Sequence, residues 1–229
     1  MKFPTSILNE YFKRNSFSKG IISVWGDFGV GKTTFALQTS LNILKEFKKI
    51  IYIYTKPMFP AEKISKLAAD SLEMLNDITF IRPENFEDLH NVVFNLEFLI
   101  LRTLNKIKNP YKLIIIDSLT DLYRLELNRT KKEKNYNLNY NLNQILASLS
   151  FINNVYDIEI LIVNEKTQIK EENQIKEIQS GGKVMEYWVS FDIKIERTEK
   201  LRERKFILTN HSSSEHTEFT SKLSEKGFK

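Results

Sequence analysis

The chain of 229 residues contains no cysteine, which excludes disulfide scaffolds, cysteine-ligated zinc, iron–sulfur clusters and thiol catalysis. Its three histidines, His90, His211 and His216, are too scattered to suggest a metal site. Long apolar runs are also missing. The longest, Ile50 to Tyr54, has five residues, where a membrane-crossing helix needs about 18 or more. The amino-terminal stretch MKFPTSILNEYFKRNSFSKG lacks an apolar core followed by a small-residue cleavage site, so no secretory signal is expected. With cysteine absent as well, the expected compartment is the cytoplasm, with no membrane partner. Charge of one sign is not in great excess: 34 basic and 29 acidic residues leave a net +5. That permits a polyanionic partner without establishing one.

Glycine is scarce: 7 residues, roughly 3 % where about 7 % is usual. Three of the seven, Gly26, Gly29 and Gly31, lie within six positions, and Gly181 and Gly182 are adjacent. A chain so sparing with its most permissive residue has concentrated it in two places.

What is abundant is apolar sequence with pattern. The 41 % hydrophobic and 12 % aromatic content supports a real core. Short β-rich segments alternate with stretches of helical period, the signature of an α/β fold with a mostly parallel sheet. Strands are expected at Ile21–Trp25, Ile50–Tyr54, Ile78–Ile81, Leu113–Ile116 and Ile158–Val163. Helices are expected over Lys32–Phe47, from about Pro60, and over Asn85–Lys106, where Phe86, Leu89, Val93, Leu96, Ile100 and Leu104 recur at three- and four-residue spacing. Leu142, Ile145, Leu149 and Ile152 mark another helix, preceded by a polar stretch from Arg129 to Tyr140. Ile193–Ile195 and Phe206–Thr209 read as strands of a terminal antiparallel section. A short amino-terminal segment, residues 1–20, and one core domain, residues 21–229, are expected.

The run Gly26-Asp27-Phe28-Gly29-Val30-Gly31-Lys32-Thr33 satisfies G-x-x-x-x-G-K-[ST] between an expected strand and an expected helix, and Thr34 follows it. Such a loop turns successive backbone N–H groups toward a phosphate chain, and the next helix presents its positive end to the same anion. Lys32 would reach the β- and γ-phosphates of a nucleotide such as ATP, and Thr33 would supply an oxygen to Mg²⁺. Leu113-Ile114-Ile115-Ile116-Asp117 is a hydrophobic strand ending in a carboxylate. Downstream of a phosphate loop, Asp117 is the candidate for holding the water shell of Mg²⁺.

At these residues the sequence resembles the RecA/RadA recombinase superfamily, and within it the archaeal RadB proteins, which consist of the ATPase core alone. The resemblance rests on GDFGVGKT at 26–33, IIIDSLTDLYRLEL at 114–127 and the following LNYNLNQILASLSFI. It also rests on VNE at 163–165, the Gly181-Gly182 pair and TNHSSSEHTEFTSKLSEKGF at 209–228. It implies a RecA-like P-loop core that binds ATP and Mg²⁺ and serves as an accessory in DNA recombination and repair.

Two departures from the family pattern concern hydrolysis. The family's Asp-Thr-Glu-Gly segment, whose glutamate activates the attacking water, aligns without a gap on Tyr54-Thr55-Lys56-Pro57. Lys56 therefore stands at the position of the general base. Glu165 replaces the glutamine that senses the γ-phosphate, and reads either as a substitute base or as a solvated strand-end carboxylate. Weak or absent ATP hydrolysis is expected, since general-base help is typically worth about 10²–10⁴ in rate.

The resemblance also implies two DNA-contacting loops, matched here by 129–140 and 166–180. The first offers Arg129, Lys131, Lys132, Lys134 and Tyr136, either a single-stranded DNA contact or an ordinary solvated loop. In the second, lysines and glutamates cancel, and it reads as a short helix with internal ion pairs. A third basic cluster, Arg197, Lys200, Arg202, Arg204 and Lys205, is expected at a hairpin near the sheet edge, guarding that edge or touching DNA. Phe3, Phe12 and Phe17 lack the alanine three positions on that the family's filament tether uses. A long filament is not expected, Tyr11 and Phe12 are expected to pack on their own core, and a recombinase or other protein partner stays open. The competing functions are a KaiC-like signalling ATPase of the same superfamily, which generally retains paired acidic residues where Thr55 and Lys56 stand, and a non-hydrolysing structural subunit.

Overall fold

The computed structural model describes residues 1–15, 19–46, 48–69, 72–104, 110–127, 129, 131–171, 174–211 and 215–229. Its centre is a sheet of β1 (Ile21–Gly26), β2 (Lys49–Tyr54), β3 (Ile78–Ile81), β4 (Tyr111–Asp117), β5 (Glu159–Glu171), β7 (Val189–Arg197), β8 (Glu203–Asn210), β9 (Glu215–Ser224) and β10 (Gly227–Phe228), with β6 (Gln174–Gln179) paired to β5 off the main path. The order is β10-β9-β8-β7-β1-β5-β4-β2-β3. From β7 to β3 all neighbours are parallel, and from β7 to β10 all are antiparallel. This is the expected RecA-like core with its antiparallel carboxy-terminal section.

The central strands carry no polar alternation because both faces are covered. On β4, Leu113 and Ile115 enter one core layer while Ile114 and Ile116 enter the other; β5 divides Leu161 and Val163 from Ile160 and Ile162 in the same way. The first layer is closed by α1 (Ser6–Arg14), α2 (Lys32–Leu44) and α3 (Ala61–Leu67), the second by α4 (Phe86–Phe94), α5 (Leu96–Leu104), α6 (Thr120–Leu127) and α7 (Lys132–Tyr156). The stripe Leu142, Ile145, Leu149 and Ile152 of α7 is buried as its spacing predicts, each side chain worth about 1.5–3 kcal/mol of transfer free energy. Tyr11 and Phe12 pack inward as expected, with the Phe12 ring 4.6 Å from Phe3 and 4.5 Å from Phe191. No helix among the described residues is long and apolar enough to cross a membrane.

Three expectations are corrected. The long helix expected over Asn85–Lys106 is two helices, because the Asn95 side chain donates to the Asn91 carbonyl (2.7 Å) and ends the first of them. The polar stretch expected before the next helix is helical from Lys132. The segment read as a short helix within 166–180 is a β-hairpin: β5 runs on to Glu171 and pairs antiparallel with β6, Lys166 opposite Gln179 and Glu171 opposite Gln174. Its charges cancel across the hairpin, Lys166 meeting Glu177 at 2.6 Å. The helix ends expected at Phe47 and Lys106 lie outside the described residues, as does Phe17.

Candidate phosphate-binding site

The carboxyl ends of β1, β4 and β2 lie level with the middle of β5, with Gly26 opposite Glu165 and Tyr54 opposite Asp117. In an open parallel sheet this end collects ligands. The loop from Gly26 to Gly31 leads out of β1 into α2, whose cap residue Gly31 has a left-handed backbone. All seven glycines of the chain have positive φ, so the scarce residue is spent only on backbone that other residues resist. Gly26 shows the strictest need: at φ +147°, an added Cβ would sit 2.2 Å from the Ile195 carbonyl oxygen of the neighbouring strand.

Arginines from the carboxy-terminal hairpin hold the loop from outside. Arg197 Nη2 donates to the Phe28 carbonyl (3.0 Å) and Arg204 Nε to the Val30 carbonyl (3.2 Å). Lys205 is paired with Glu218 at 2.8 Å and Lys200 with Glu203 at 3.6 Å. The third basic cluster does lie on the β7–β8 hairpin, but it is not a free edge guard. β9 and β10 cover that side of the sheet, and two of the arginines brace the phosphate loop.

Inside the loop, Lys32 is almost fully buried and its ammonium donates to the Gly26 carbonyl (3.0 Å), the Asp27 carbonyl (2.7 Å) and Glu165 Oε2 (2.7 Å). Burial lowers its pKa, and the Glu165 carboxylate works against that shift. Lys56, just beyond β2, points into the same space. Its Nζ lies 3.1 Å from Asp117 Oδ1, 3.7 Å from Glu165 Oε1 and 3.4 Å from Thr33 Oγ1. Burial alone would depress Lys56, but the Asp117 and Glu165 charges outweigh it and its pKa is raised. Asp117 is completely buried; its other oxygen accepts from the Tyr52 hydroxyl at 3.1 Å. Desolvation, reinforced by the Asp117 charge, drives the Tyr52 phenol well above its ordinary value.

The strand ends are locked around this cluster. Thr55 N donates to the Asp117 carbonyl (2.9 Å), while Thr55 Oγ1 donates to the Ser118 carbonyl (2.7 Å) and accepts from Ser118 N (2.8 Å). Asn164 accepts from Thr120 Oγ1 (2.5 Å) and donates to the Ser180 carbonyl (2.9 Å), tying β5 to the turn before the Gly181-Gly182 pair. The sequence pattern thus brings Lys32, Thr33, Asp117, Lys56 and Glu165 together. Glu165 is not a solvated strand-end carboxylate, because both of its oxygens face lysines. Thr33 Oγ1 and Asp117 are oxygen donors of the kind Mg²⁺ takes, but the space between them holds the Lys56 ammonium. Mg²⁺ requires near-octahedral oxygens at about 2.0–2.1 Å, so this arrangement does not fit it while Lys56 remains there.

Beside the cluster, Asp27, Phe28, Tyr54, Lys56, Met58 and Arg124 line part of a cleft of about 700 Å³. Phe28 and Met58 are 84 % and 85 % exposed at its mouth; Met58, in a turn after Pro57, carries no sequence signal. Of the candidate nucleic-acid contacts, Arg129, Lys131, Lys134 and Tyr136 are exposed, while the Lys132 side chain lies outside what is described. Tyr136 (75 % exposed) is joined one turn further along α7 by Tyr140 (56 %), a neighbour that the loop reading of 129–140 hides.

A phosphate loop opening the helix after the first strand, with a carboxylate at the tip of the next parallel strand but one, defines a RecA-like P-loop α/β protein. The Rad51 family model matches residues 7–228. Similar chains include the DNA repair and recombination protein RadB of Methanococcus maripaludis (strain C5), 32 % identical over 93 % of this chain and 91 % of the relative. The protein of the same name from Methanocaldococcus jannaschii is 29 % identical over 91 % and 92 %, and that from Methanobrevibacter smithii 25 % over 99 % and 94 %. The chain belongs to the Rad51 family, as a RadB-like member of the RecA superfamily.

Proposed function

We propose that the chain binds ATP in the Gly26–Thr34 loop and acts as an accessory or modulator of DNA recombination and repair, with weak or absent ATP hydrolysis. The observation that carries this reading is the Lys56–Asp117 ion pair at 3.1 Å. An ammonium at the position of the general base cannot accept a proton from water. Glu165, the substitute base, has Lys32 at 2.7 Å from one oxygen and Lys56 at 3.7 Å from the other, so both oxygens are already engaged by ammonium groups and neither stands free toward an attacking water. Binding is still supported: Lys32 and the amino-terminal end of α2 offer positive charge to a phosphate chain in a loop braced by two arginines.

A DNA partner, single-stranded for preference, is supported by the start of α7, where Lys131 and Lys134 add positive charge to a positive helix end and Tyr136 offers a stacking face. A recombinase or other protein partner is supported by the names of the relatives, which are DNA repair and recombination proteins.

Phosphate release and nucleotide binding, measured on the wild type and Lys32→Ala, test the reading. Binding lost in Lys32→Ala, with phosphate release near background in both proteins, is expected. Turnover comparable to active recombinases, abolished by Lys32→Ala and untouched by Glu165→Gln, overturns weak hydrolysis. Titration of labelled single-stranded DNA with and without ATP tests the partner, and a salt-independent signal would exclude phosphate contacts.

A further inference from the structure

The geometry points to Lys56 as a built-in replacement for the divalent cation: the chain binds its nucleotide without Mg²⁺, using the Lys56 ammonium as the counter-charge. This rests on the phosphate-loop reading above. Three oxygens surround Lys56 Nζ, those of Thr33 (3.4 Å), Asp117 (3.1 Å) and Glu165 (3.7 Å). The first two are the hydroxyl and carboxylate expected to share a metal ion. A monovalent ammonium and a divalent metal cannot both occupy the space between them.

The lysine is placed there by backbone on both sides. Thr55, before it, is hydrogen-bonded to Asp117 and Ser118 through both its main chain and its side chain. Pro57, after it, has its carbonyl held by Arg82 Nη2 at 2.9 Å. Lys56 is therefore pre-organised, with 20 % of its side chain exposed. The charge count also fits. Lys32 and Lys56 together balance Asp117 and Glu165 before a nucleotide enters, so a bound phosphate chain shares these two ammonium groups with the carboxylates.

The chemical consequence follows from the difference between the two cations. An ammonium can donate hydrogen bonds to phosphate oxygens, but it lacks the double charge and the water shell of a metal ion. It holds a phosphate chain without activating it. A nucleotide with no metal bound is then the preferred form, because one already carrying Mg²⁺ would bring a cation against Lys56.

Calorimetric titration with ATP, in excess EDTA and in excess MgCl₂, tests the inference on the full chain. Wild type is expected to bind ATP at least as tightly in EDTA as in MgCl₂, to within about threefold, and Lys56→Ala to bind at least about tenfold more weakly in EDTA than in MgCl₂. A wild-type affinity that falls more than about threefold in EDTA, or a folded Lys56→Ala that binds equally in both buffers, overturns the inference and leaves the nucleotide reading standing. Binding in neither buffer overturns both. Should Lys56→Ala fail to fold, the wild-type comparison decides alone, and Lys56→Met, which keeps the stem without the charge, supplies the variant arm.

Discussion

Lys56 Nζ lies 3.1 Å from Oδ1 of Asp117, a carboxylate with no solvent exposure, at the sheet end where the phosphate loop opens. The two residues meet because β2 and β4 are parallel neighbours with Tyr54 opposite Asp117. Removing one partner of a buried pair is costly, since the remaining charge has lost its solvent and its counter-ion. Lys56→Ala is expected to lower stability by about 3 kcal/mol, the low end for such a pair, because the Tyr52 hydroxyl still donates to Asp117. Mg²⁺ should raise the melting temperature of Lys56→Ala and leave wild type unmoved. Thermal melts of both proteins with and without MgCl₂ check this, and an equal rise in wild type would contradict it.

Much of this arrangement is visible in the sequence. The phosphate loop is, because its chemistry needs fixed residues at fixed local spacing. So are the central strands, Leu113–Ile116 falling inside β4, because a strand buried on both faces reads as an unbroken apolar run. The family resemblance implies Lys56 at the base position, but its contact with Asp117 leaves no local signal, since the two residues are distant in the chain. The hairpin of β5 and β6 is hidden for a similar reason. Lys and Glu residues at close spacing suggest helical ion pairs, yet Lys166 pairs with Glu177 across the hairpin and with Asp27 of the phosphate loop at 3.0 Å. Local spacing carries no record of contacts made between strands.

Glu165 competes for the cation a phosphate would use. Its Oε2 is 2.7 Å from Lys32 Nζ, and it brings a negative charge to the mouth of the loop. Glu165→Gln removes that charge while keeping a polar side chain of similar size. ATP should bind about tenfold more tightly, the effect of about 1.4 kcal/mol from one partly screened charge a few ångströms away. Direct titration of the two proteins at equal ionic strength reads the ratio, and weaker binding in the variant would show that Glu165 assists the nucleotide.

Two glycines separate steric need from simple preference. Gly26→Ala places a methyl 2.2 Å from the Ile195 backbone oxygen at φ +147°, and neither strand can yield without breaking the β1–β7 pairing. At Gly182, φ is +52° and an added Cβ meets nothing within 4 Å, leaving only the left-handed backbone cost of about 1–2 kcal/mol. Gly26→Ala is expected to lose at least about 4 kcal/mol, in the range reserved for overpacking. Urea unfolding of both variants measures the contrast, which comparable losses would refute.

A polar string runs beneath β1 and β7, away from the phosphate loop. Ser23 donates to Gln179 (2.7 Å), Gln179 donates to Asp192 (3.0 Å), and Asp192 meets His211 Nε2 at 2.8 Å. The hydrogen bond to Asp192 raises the His211 pKa despite partial burial, and Glu186 adds to it; burial raises the Asp192 carboxyl. A histidine with a raised folded pKa binds its proton more tightly when folded. Its contribution is therefore full below the unfolded value of about 6.5 and is lost as pH rises through the higher folded value. Asp192 must itself be ionised, which sets the lower limit. The stability difference between wild type and His211→Gln should be larger at about pH 6 than at about pH 8.5. Unfolding curves at both values check the sign, and a difference that grows with pH would exclude the charged pair.

Tyr136 and Tyr140 stand exposed one turn apart near the start of α7, in the same helical run as Lys134 and just after Lys131. If this surface takes single-stranded DNA, its aromatic and basic residues must fail in different ways. Stacking of one base on Tyr136 is worth about 1–3 kcal/mol, so Tyr136→Ala should weaken binding about 5- to 150-fold, while Tyr136→Phe, which keeps the ring, should restore it. The salt dependence should be the same in all three proteins, because a phenol neutralises no phosphate. Lys131→Ala and Lys134→Ala should each reduce the slope of log affinity against log salt by about 0.7. Fluorescence anisotropy of a labelled oligonucleotide over a range of NaCl concentrations separates the two effects. Lysine variants with an unchanged slope would place the DNA elsewhere on the chain.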